Sequence, residues 1–433
     1  MHCPPQRRPP GLTSPMLSRF EFTYLPRPAV PLDKGANAAR AWAVPAYWSH
    51  EMNRKTRPTL DSLDTPCLLL DEARMEANIE YMKARMRRLG VTLRPHLKTP
   101  KSVEVARRAM QTPQGPAAVS TLQEAEQFAR AGVRDILYAV GLSPAKIDRV
   151  LALRAQGVNL TVVVDSVEAA QALASRSRAA GAPIPALIEI DADGHRAGVR
   201  PEQQALLCAI GRALHEGGAE LRGVMTHAGE SYSSPDVVAI RDMAERERSA
   251  AVRAAAVLRE QGLPCPVVSV GSTPTAMFAE NLEGVTEVRA GVYVFFDLFM
   301  AGLGVCKQDD IALSVLTTVI GHQPEKAWIL VDAGWMAMSR DRGTANQAVD
   351  QYYGLVCDVA GRPLPGLVLK QTNQEQGIIT LRPGATGTLP DLPIGTRLRI
   401  LPNHACATGA QHDAYQVLRG ADVAAVWPRF RGW

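Results

Sequence analysis

From Leu63 onward, short apolar runs rich in β-branched residues alternate with longer Ala-rich stretches. The runs Val91–Leu97, Ala118–Thr121, Asp135–Val140, Leu160–Asp165, Ala186–Asp191, Leu221–His227, Val267–Val270 and Glu287–Phe295 read as strands. Helical stretches separate them at Leu70–Arg88, Leu122–Ala131, Pro144–Ala155, Ser166–Ala179, Gln203–Glu216 and Val237–Glu260. Several open on a residue suited to an N-cap, such as Thr121, Ser143 or Ser166. Strands spaced by helices predict parallel pairing through right-handed crossovers. Eight such units in sequence predict a (β/α)8 TIM-like barrel rather than a doubly wound sheet.

After Leu303 the alternation stops. Ile311–Ile320, Trp328–Asp332, Gly354–Val359, Gly377–Leu381 and Arg397–Leu401 read as strands joined by turn-rich loops such as GRPLPG and RPGATG. No long helical period divides them, so a mainly β domain follows the barrel. The expected organisation is an α/β chain: a tail over 1–55, a barrel over 63–300 and a C-terminal β domain over 304–433.

Composition narrows the picture. The tail is rich in Pro and Arg, with PPQRRPP near its start, and shows no helical or strand period, so disorder is expected there. Its prolines argue against the amphipathic helix of a transit peptide. Net charge is only +5 and the charges are interspersed, which excludes a strong nucleic-acid or membrane-surface binder. No apolar stretch approaches the roughly 20 residues needed to cross a bilayer. Seven cysteines at 3, 67, 208, 265, 306, 357 and 406 show no CxxC spacing, a pattern that fits a reducing cytoplasm.

In a barrel, chemistry collects at the C-terminal ends of the strands. The first predicted strand, in TLRPHLKT, aligns Arg94, His96 and Lys98 by its period of two. A lysine aimed into a barrel mouth loses solvation, which lowers its pKa and makes it a nucleophile fit for Schiff-base chemistry; otherwise it is a surface lysine just past the strand. Arg196, His227 and Tyr232 stand at later strand ends, where each alone could equally serve a structural role. The turn Gly271–Ser272–Thr273 offers N–H groups and hydroxyls for a phosphate, with Gly291 and Tyr293 near the next strand end. Loops after strands seven and eight are the usual phosphate corner of a barrel. In the β domain, His404 and Cys406 stand two apart in PNHACATGAQH, a soft donor pair that favours zinc. Two protein ligands would leave room for water and substrate; nothing in its spacing strongly recruits His412.

The motifs RPHLKTPK, VSTLQEAE, DGHRAGV, THAGESY, GSTPT, AGVYVFFD and PNHACAT, in this order, resemble those of the metal-activated D-serine dehydratases. That group stands with the D-threonine aldolases among the alanine-racemase-like pyridoxal-phosphate enzymes of fold type III. The resemblance runs from about Leu63 to the closing FRGW. It implies that Lys98 forms a Schiff base with pyridoxal 5′-phosphate, that Arg196 faces the pyridine-ring side, and that His227 and Tyr232 lie beside the cofactor. It implies phosphate contacts from Gly271, Ser272, Thr273, Gly291 and Tyr293, and metal ligation by His404 and Cys406, with Zn2+ ahead of Mn2+ or another divalent ion. A homodimer with sites near its interface is also implied. The implied reaction is a lyase reaction on a D-β-hydroxy amino acid, D-serine to pyruvate and ammonia. D-threonine aldolase and D-threo-3-hydroxyaspartate dehydratase are the alternatives, and a pyridoxal-phosphate homeostasis protein is the non-enzymatic one. One departure stands out: Pro100 occupies a position where the family commonly has histidine.

Overall fold

In the computed structural model, which describes residues 59–433, the chain leads into β1 (Cys67–Asp71). The expected tail over 1–55 lies outside the described residues. Three consecutive buried leucines, Leu68 to Leu70, fill β1, and Asp71 then caps the helix Glu72–Arg88 by accepting from Arg74 N at 3.0 Å. The sequence reading starts this helix at Leu70 and assigns residues from 63 to the barrel. The structure corrects both, because β1 pairs with strands of the C-terminal sheet instead.

Eight parallel strands then follow in the expected order: β2 (Thr92–Pro95), β3 (Ala117–Val119), β4 (Asp135–Gly141), β5 (Asn159–Val164), β6 (Pro185–Ile190), β7 (Glu220–Thr226), β8 (Val267–Val270) and β9 (Glu287–Ala290). They pair in the order β2-β9-β8-β7-β6-β5-β4-β3. The seam between β2 and β3 is closed by a single bridge, His96 to Ala118, with Leu97 N donating to Ala118 O at 2.8 Å. Helices return the chain along the outside. Thr121 and Ser166 act as predicted N-caps, accepting from Glu124 N and Ala169 N. Ser143 does not cap, because a short 3-10 turn at Pro144–Lys146 intervenes before the helix Ile147–Ala155.

The barrel interior is divided. Ala118, Leu137, Ala139, Val163, Leu187 and Met225 make an apolar half. On the opposite side Arg94, Glu287, Ser269 and Arg289 form a buried polar chain: Arg94 pairs with Asp135 and Glu287, Glu287 accepts from Ser269, and Ser269 accepts from Arg289.

The second sheet holds β10 (Leu313–Gln323), β11 (Trp328–Val331), β12 (Leu355–Cys357), β13 (Pro363–Thr372), β14 (Gly377–Leu381), β15 (Arg397–Leu401), β16 (Ala414–Arg419) and β17 (Asp422–Pro428), together with β1. Every pairing is antiparallel except that of β1 with β16. GRPLPG, read as a loop, instead opens β13. Gly366, at φ +74°, lies in the bulge where pairing with β12 shifts register. Among the described residues no helix is long and apolar enough to cross a membrane.

Candidate active site

A cavity of about 340 Å3 lies at the C-terminal ends of the barrel strands and reaches the β domain. Lys98 enters it from a turn just past β2, where Lys101 N returns to Leu97 O at 3.0 Å. The open cavity leaves Lys98 accessible, yet protein atoms crowd its amine. That desolvation lowers its pKa, with Cys406 opposing and Arg196 assisting the shift. The side chain is thus biased toward the neutral amine that a nucleophile or base requires.

His96, from the seam, forms the cavity's floor beside Lys98, with its Nε2 3.4 Å from Ser120 Oγ. Burial first, and then the charge of Lys98, holds His96 well below the usual imidazole range. His227 follows β7 and places Nδ1 2.9 Å from Gly271 O. A carbonyl can only accept, so the ring proton sits on Nδ1 and Nε2 keeps its lone pair. Burial, reinforced by Arg196, pushes the His227 pKa down to about 3, so the ring stays neutral. Tyr232 lies 6.1 Å from His227 and 6.3 Å from Phe299, ring centre to ring centre. Burial raises its hydroxyl pKa. Arg196 reaches the same cavity, with Nη2 3.6 Å from Glu189 Oε1.

The Gly271–Ser272–Thr273 turn is held from beneath. Glu247, fully buried on the helix Val237–Glu260, accepts from Gly271 N and Ala228 N at 2.9 Å and from Thr275 Oγ1 at 2.8 Å. Ser272 and Thr275 cap each other, and Ser272 Oγ is 2.8 Å from Ser231 Oγ. Gly271 has φ +132°, and a Cβ there would lie 2.2 Å from Arg289 O. Thr273 lines the cavity, and its Oγ1 is buried without a hydrogen-bond partner among the described residues. A buried orphan acceptor-donor is costly unless a ligand meets it. A Cβ on Gly291 would fall 3.0 Å from both His96 O and Thr99 Oγ1, which keeps this corner free of side chain.

The β domain supplies the other wall. Cys406 stands on the short helix Ala405–Gly409, with Sγ 3.3 Å from Thr99 Oγ1, the neighbour of Lys98. His404 Nδ1 lies 2.7 Å from Asp341 Oδ2, which leaves Nε2 as the ring nitrogen not held by the carboxylate. Burial opposes charge on both groups. The hydrogen bonds of His404 with Asp341 and Cys406 outweigh it, raising His404 to about 11 and lowering Cys406. Imidazole and thiolate sharing one proton are the donor set that a soft divalent ion replaces that proton in. Asp341 holds His404 in the way an outer carboxylate aims a histidine in metal sites. Among the described residues no cluster of three or more His, Cys, Asp or Glu forms a closed metal cage.

Of the residues singled out in the sequence, Lys98, Arg196, His227, Tyr232, Gly271, Ser272, Thr273, Gly291, His404 and Cys406 line one cavity. Tyr293 does not. Its ring is fully buried in the core and its hydroxyl has no hydrogen-bond partner among the described residues. Arg94 is also elsewhere: it pairs with Asp135 and Glu287, at the starts of β4 and β9, and the strand alternation that would align it with Lys98 ends at Pro95. His412 turns to Ala337 O, at 2.9 Å, and does not line the cavity. Arg289, Asp297, Phe299 and Asp341 line the cavity without having been marked. Arg289 stands two residues before Gly291, immediately ahead of the motif AGVYVFFD, so strand alternation could have revealed it. Asp341 lies in a loop without any period and carried no comparable signal.

Together, a depressed lysine amine, a neutral histidine, a side-chain-free corner and an orphaned Thr273 hydroxyl fit pyridoxal phosphate. The His404–Cys406 pair backed by Asp341 fits a divalent metal.

Comparison with known proteins matches residues 70–298 to the N-terminal domain of alanine racemase and residues 312–418 to a putative serine dehydratase domain. A D-threo-3-hydroxyaspartate dehydratase of Delftia sp. strain HT23 is 56% identical, over 87% of this chain and 99% of that protein. A D-serine dehydratase of Dictyostelium discoideum is 29% identical over 83% of this chain and 94% of its own. A D-threonine aldolase of Arthrobacter sp. is 30% identical, over 85% and 92% respectively. The solved structure of the Delftia dehydratase superposes with a TM-score of 0.84, covering 87% of this chain and 100% of that one. A Cys→Ala variant of a dehydratase of that name, solved in a metal-free form, superposes with the same TM-score of 0.84, at 56% identity and the same coverage.

Proposed function

The chain belongs to the alanine-racemase-like family, with the D-serine dehydratases and D-threonine aldolases, which are lyases, and from that membership we propose that it dehydrates D-configured β-hydroxy amino acids with pyridoxal phosphate and a divalent metal. D-threo-3-hydroxyaspartate is the first substrate in this reading and D-serine the second. The 56% relative bears the former name, and the D-serine dehydratase stands at 29%. One observation carries the reading: Thr99, next to Lys98, touches Cys406 at 3.3 Å, so an amine from the barrel and a metal-type donor from the β domain face one small space.

Pyridoxal phosphate, when bound, supplies an electron sink for charge at the substrate α-carbon. A metal, when bound, supplies Lewis acidity toward the β-hydroxyl. The protein's own work is positional and protonic. Lys98 Nζ, kept toward its neutral form by desolvation, takes the α-proton. His227 keeps its single proton on Nδ1, bound to Gly271 O, and so presents an uncharged face. Thr273 Oγ1 and the Gly271–Thr273 turn hold the phosphate, with Gly291 leaving room for it. Arg196 stands on the ring side and Tyr232 beside it. His404 and Cys406 hold the metal, with Zn2+ the preferred ion, and Asp341 aims His404. Met225 and Ala139 close the apolar wall against water.

In this reading the barrel built on β2 to β9 binds the cofactor and the β domain over 304–433, which β1 joins, carries the metal ligands; two chains pair as a homodimer, and the enzyme works in the cytoplasm. Six described cysteines, all unpaired, support a reducing compartment. The deciding experiment incubates the protein with D-threo-3-hydroxyaspartate, D-serine and D-threonine. Keto acid and ammonia support dehydration, glycine and an aldehyde support an aldolase, and no turnover of any substrate refutes the reading. Borohydride should fix the cofactor to the Lys98 peptide and to no other.

A further inference from the structure

The turn that presents Lys98 gives three successive carbonyls to the β domain. Thr99 O lies 3.5 Å from Arg429 Nη2. Pro100 O accepts from Arg429 Nε at 3.2 Å and from the Tyr415 hydroxyl at 2.7 Å. Lys101 O accepts from Phe430 N at 2.9 Å. On its other side the same guanidinium donates from Nη1 to Gly409 O, at the end of the helix that carries Cys406, and to His412 O at 3.1 Å. Arg429 is 7% exposed, and its Nε also donates to the Tyr415 hydroxyl at 2.8 Å. A Cβ on Gly409 would come within 3.2 Å of Arg429 Nη2, so the helix end is shaped to admit this group.

We propose that Arg429 is a positioning residue that sets the spacing and orientation of the Lys98 turn relative to the Cys406 helix. Only a planar fork with five donors can satisfy carbonyls on both sides at once. Lysine, a point donor on a flexible stem, cannot span the two. The two segments come from different domains and are more than 300 residues apart in sequence, so their relative placement depends on such bridges. The inference deepens the proposed function and rests on it: Lys98 and Cys406 must act on adjacent atoms of one substrate, where small misplacements cost rate heavily.

The test uses the full chain loaded with pyridoxal phosphate and Zn2+, and compares Arg429→Lys, Gly409→Ala and the neighbouring control Arg431→Ala. Arg431 is half exposed and, among the described residues, pairs with Asp413 and donates to Gln411 O. Two readouts besides turnover are taken: the visible circular dichroism of the bound cofactor, which senses its orientation on Lys98, and the Zn2+ dissociation constant by chelator competition. Arg429→Lys should lose or invert the dichroic band, weaken Zn2+ binding by about tenfold or more and lower kcat. Gly409→Ala, which presses on the guanidinium without removing it, should shift both readouts in the same direction by less. Arg431→Ala should move neither. Should Arg429→Lys fail to fold, Gly409→Ala decides: unchanged dichroism and Zn2+ affinity overturn the assignment. The same holds for a folded Arg429→Lys protein with wild-type values, even if its melting temperature falls, since that outcome marks a purely structural role. If the wild-type protein holds neither cofactor nor zinc, the proposed function fails and the role of Arg429 fails with it. If wild type holds both and the variants change nothing, only the role of Arg429 fails.

Discussion

His404 Nδ1 and Asp341 Oδ2 are 2.7 Å apart, and this contact decides which nitrogen of His404 is free to bind a metal. With Nδ1 committed to the carboxylate, only Nε2 can ligate, and the ring cannot swivel between two ligating poses. Asp341→Asn should therefore weaken metal affinity by about 10- to 100-fold, while leaving the cofactor bound. Chelator competition measures the first and the cofactor's absorbance the second. Activity should return at high metal concentration. An Asn variant with wild-type metal affinity would remove Asp341 from the metal site.

Thr273 supplies a prediction that separates phosphate from ring. Its buried hydroxyl has no partner among the described residues, so replacing it with an isosteric methyl strands no donor or acceptor there. Thr273→Val should keep its stability. A hydrogen bond to a charged group contributes about 1.5–3 kcal/mol, so pyridoxal phosphate should bind roughly 10- to 100-fold more weakly. Pyridoxal without the phosphate should bind the variant and wild type alike. Equal losses for both ligands would place the phosphate elsewhere.

The buried histidine His227 predicts a pH dependence of stability. Its imidazole titrates near 6.5 when solvated and is pushed down to about 3 in the fold, chiefly by burial and then by Arg196, with Gly271 O opposing and Lys98 and Arg289 assisting. The unfolded chain thus binds a proton that the folded chain refuses. The stability this histidine provides is present in full above the unfolded value, and it drains away as pH falls through 6.5 toward about 3. His227→Gln should flatten that decline. Melting temperatures of the two proteins between about pH 8 and pH 5 test it, and parallel curves would show that His227 is not responsible.

What was readable in the chain and what was not divides along a physical line. The eight barrel strands and most of their helices announce themselves because period and N-cap are local properties, as with Thr121 and Ser166. β1 was hidden because its three leucines run straight into the helix that Asp71 caps. Its partners, β10 and β16, lie more than 240 residues away. β13 was hidden by the prolines and glycine that mark loops elsewhere, whereas here they begin a bulged strand. At the site, residues embedded in motifs were found. Those whose role comes only from meeting another segment, Asp341 with His404 or Arg429 with Pro100, left no local trace. Tyr293 shows the converse: it stands within a motif, yet its ring packs into the core while nearby Gly291 lines the cavity.

Glu247 tests how far the cofactor corner depends on one buried carboxylate. It lies far below the surface on a long helix, and its Oε1 accepts two backbone N–H groups, from Ala228 and Gly271, while Oε2 accepts the Thr275 hydroxyl. Two segments are tied to one side chain: the chain after β7 at Ala228, and the turn whose Gly271 adopts φ +132° together with the helix Thr273–Phe278 that it opens. Burial raises the Glu247 pKa, and these three hydrogen bonds oppose the rise. Glu247→Ala leaves two buried N–H donors unmet, those of Ala228 and Gly271, each costing about 1–3 kcal/mol, so several kcal/mol of stability should go, together with cofactor affinity. Glu247→Gln keeps an acceptor for both N–H groups. Its amide would donate to Thr275 Oγ1, which can turn its own proton toward Ser272 Oγ at 3.0 Å. The Gln variant should therefore lose much less of both. Urea unfolding and cofactor titration measure the two quantities, and an Ala variant no worse than Gln would mean that the turn holds its shape without this carboxylate.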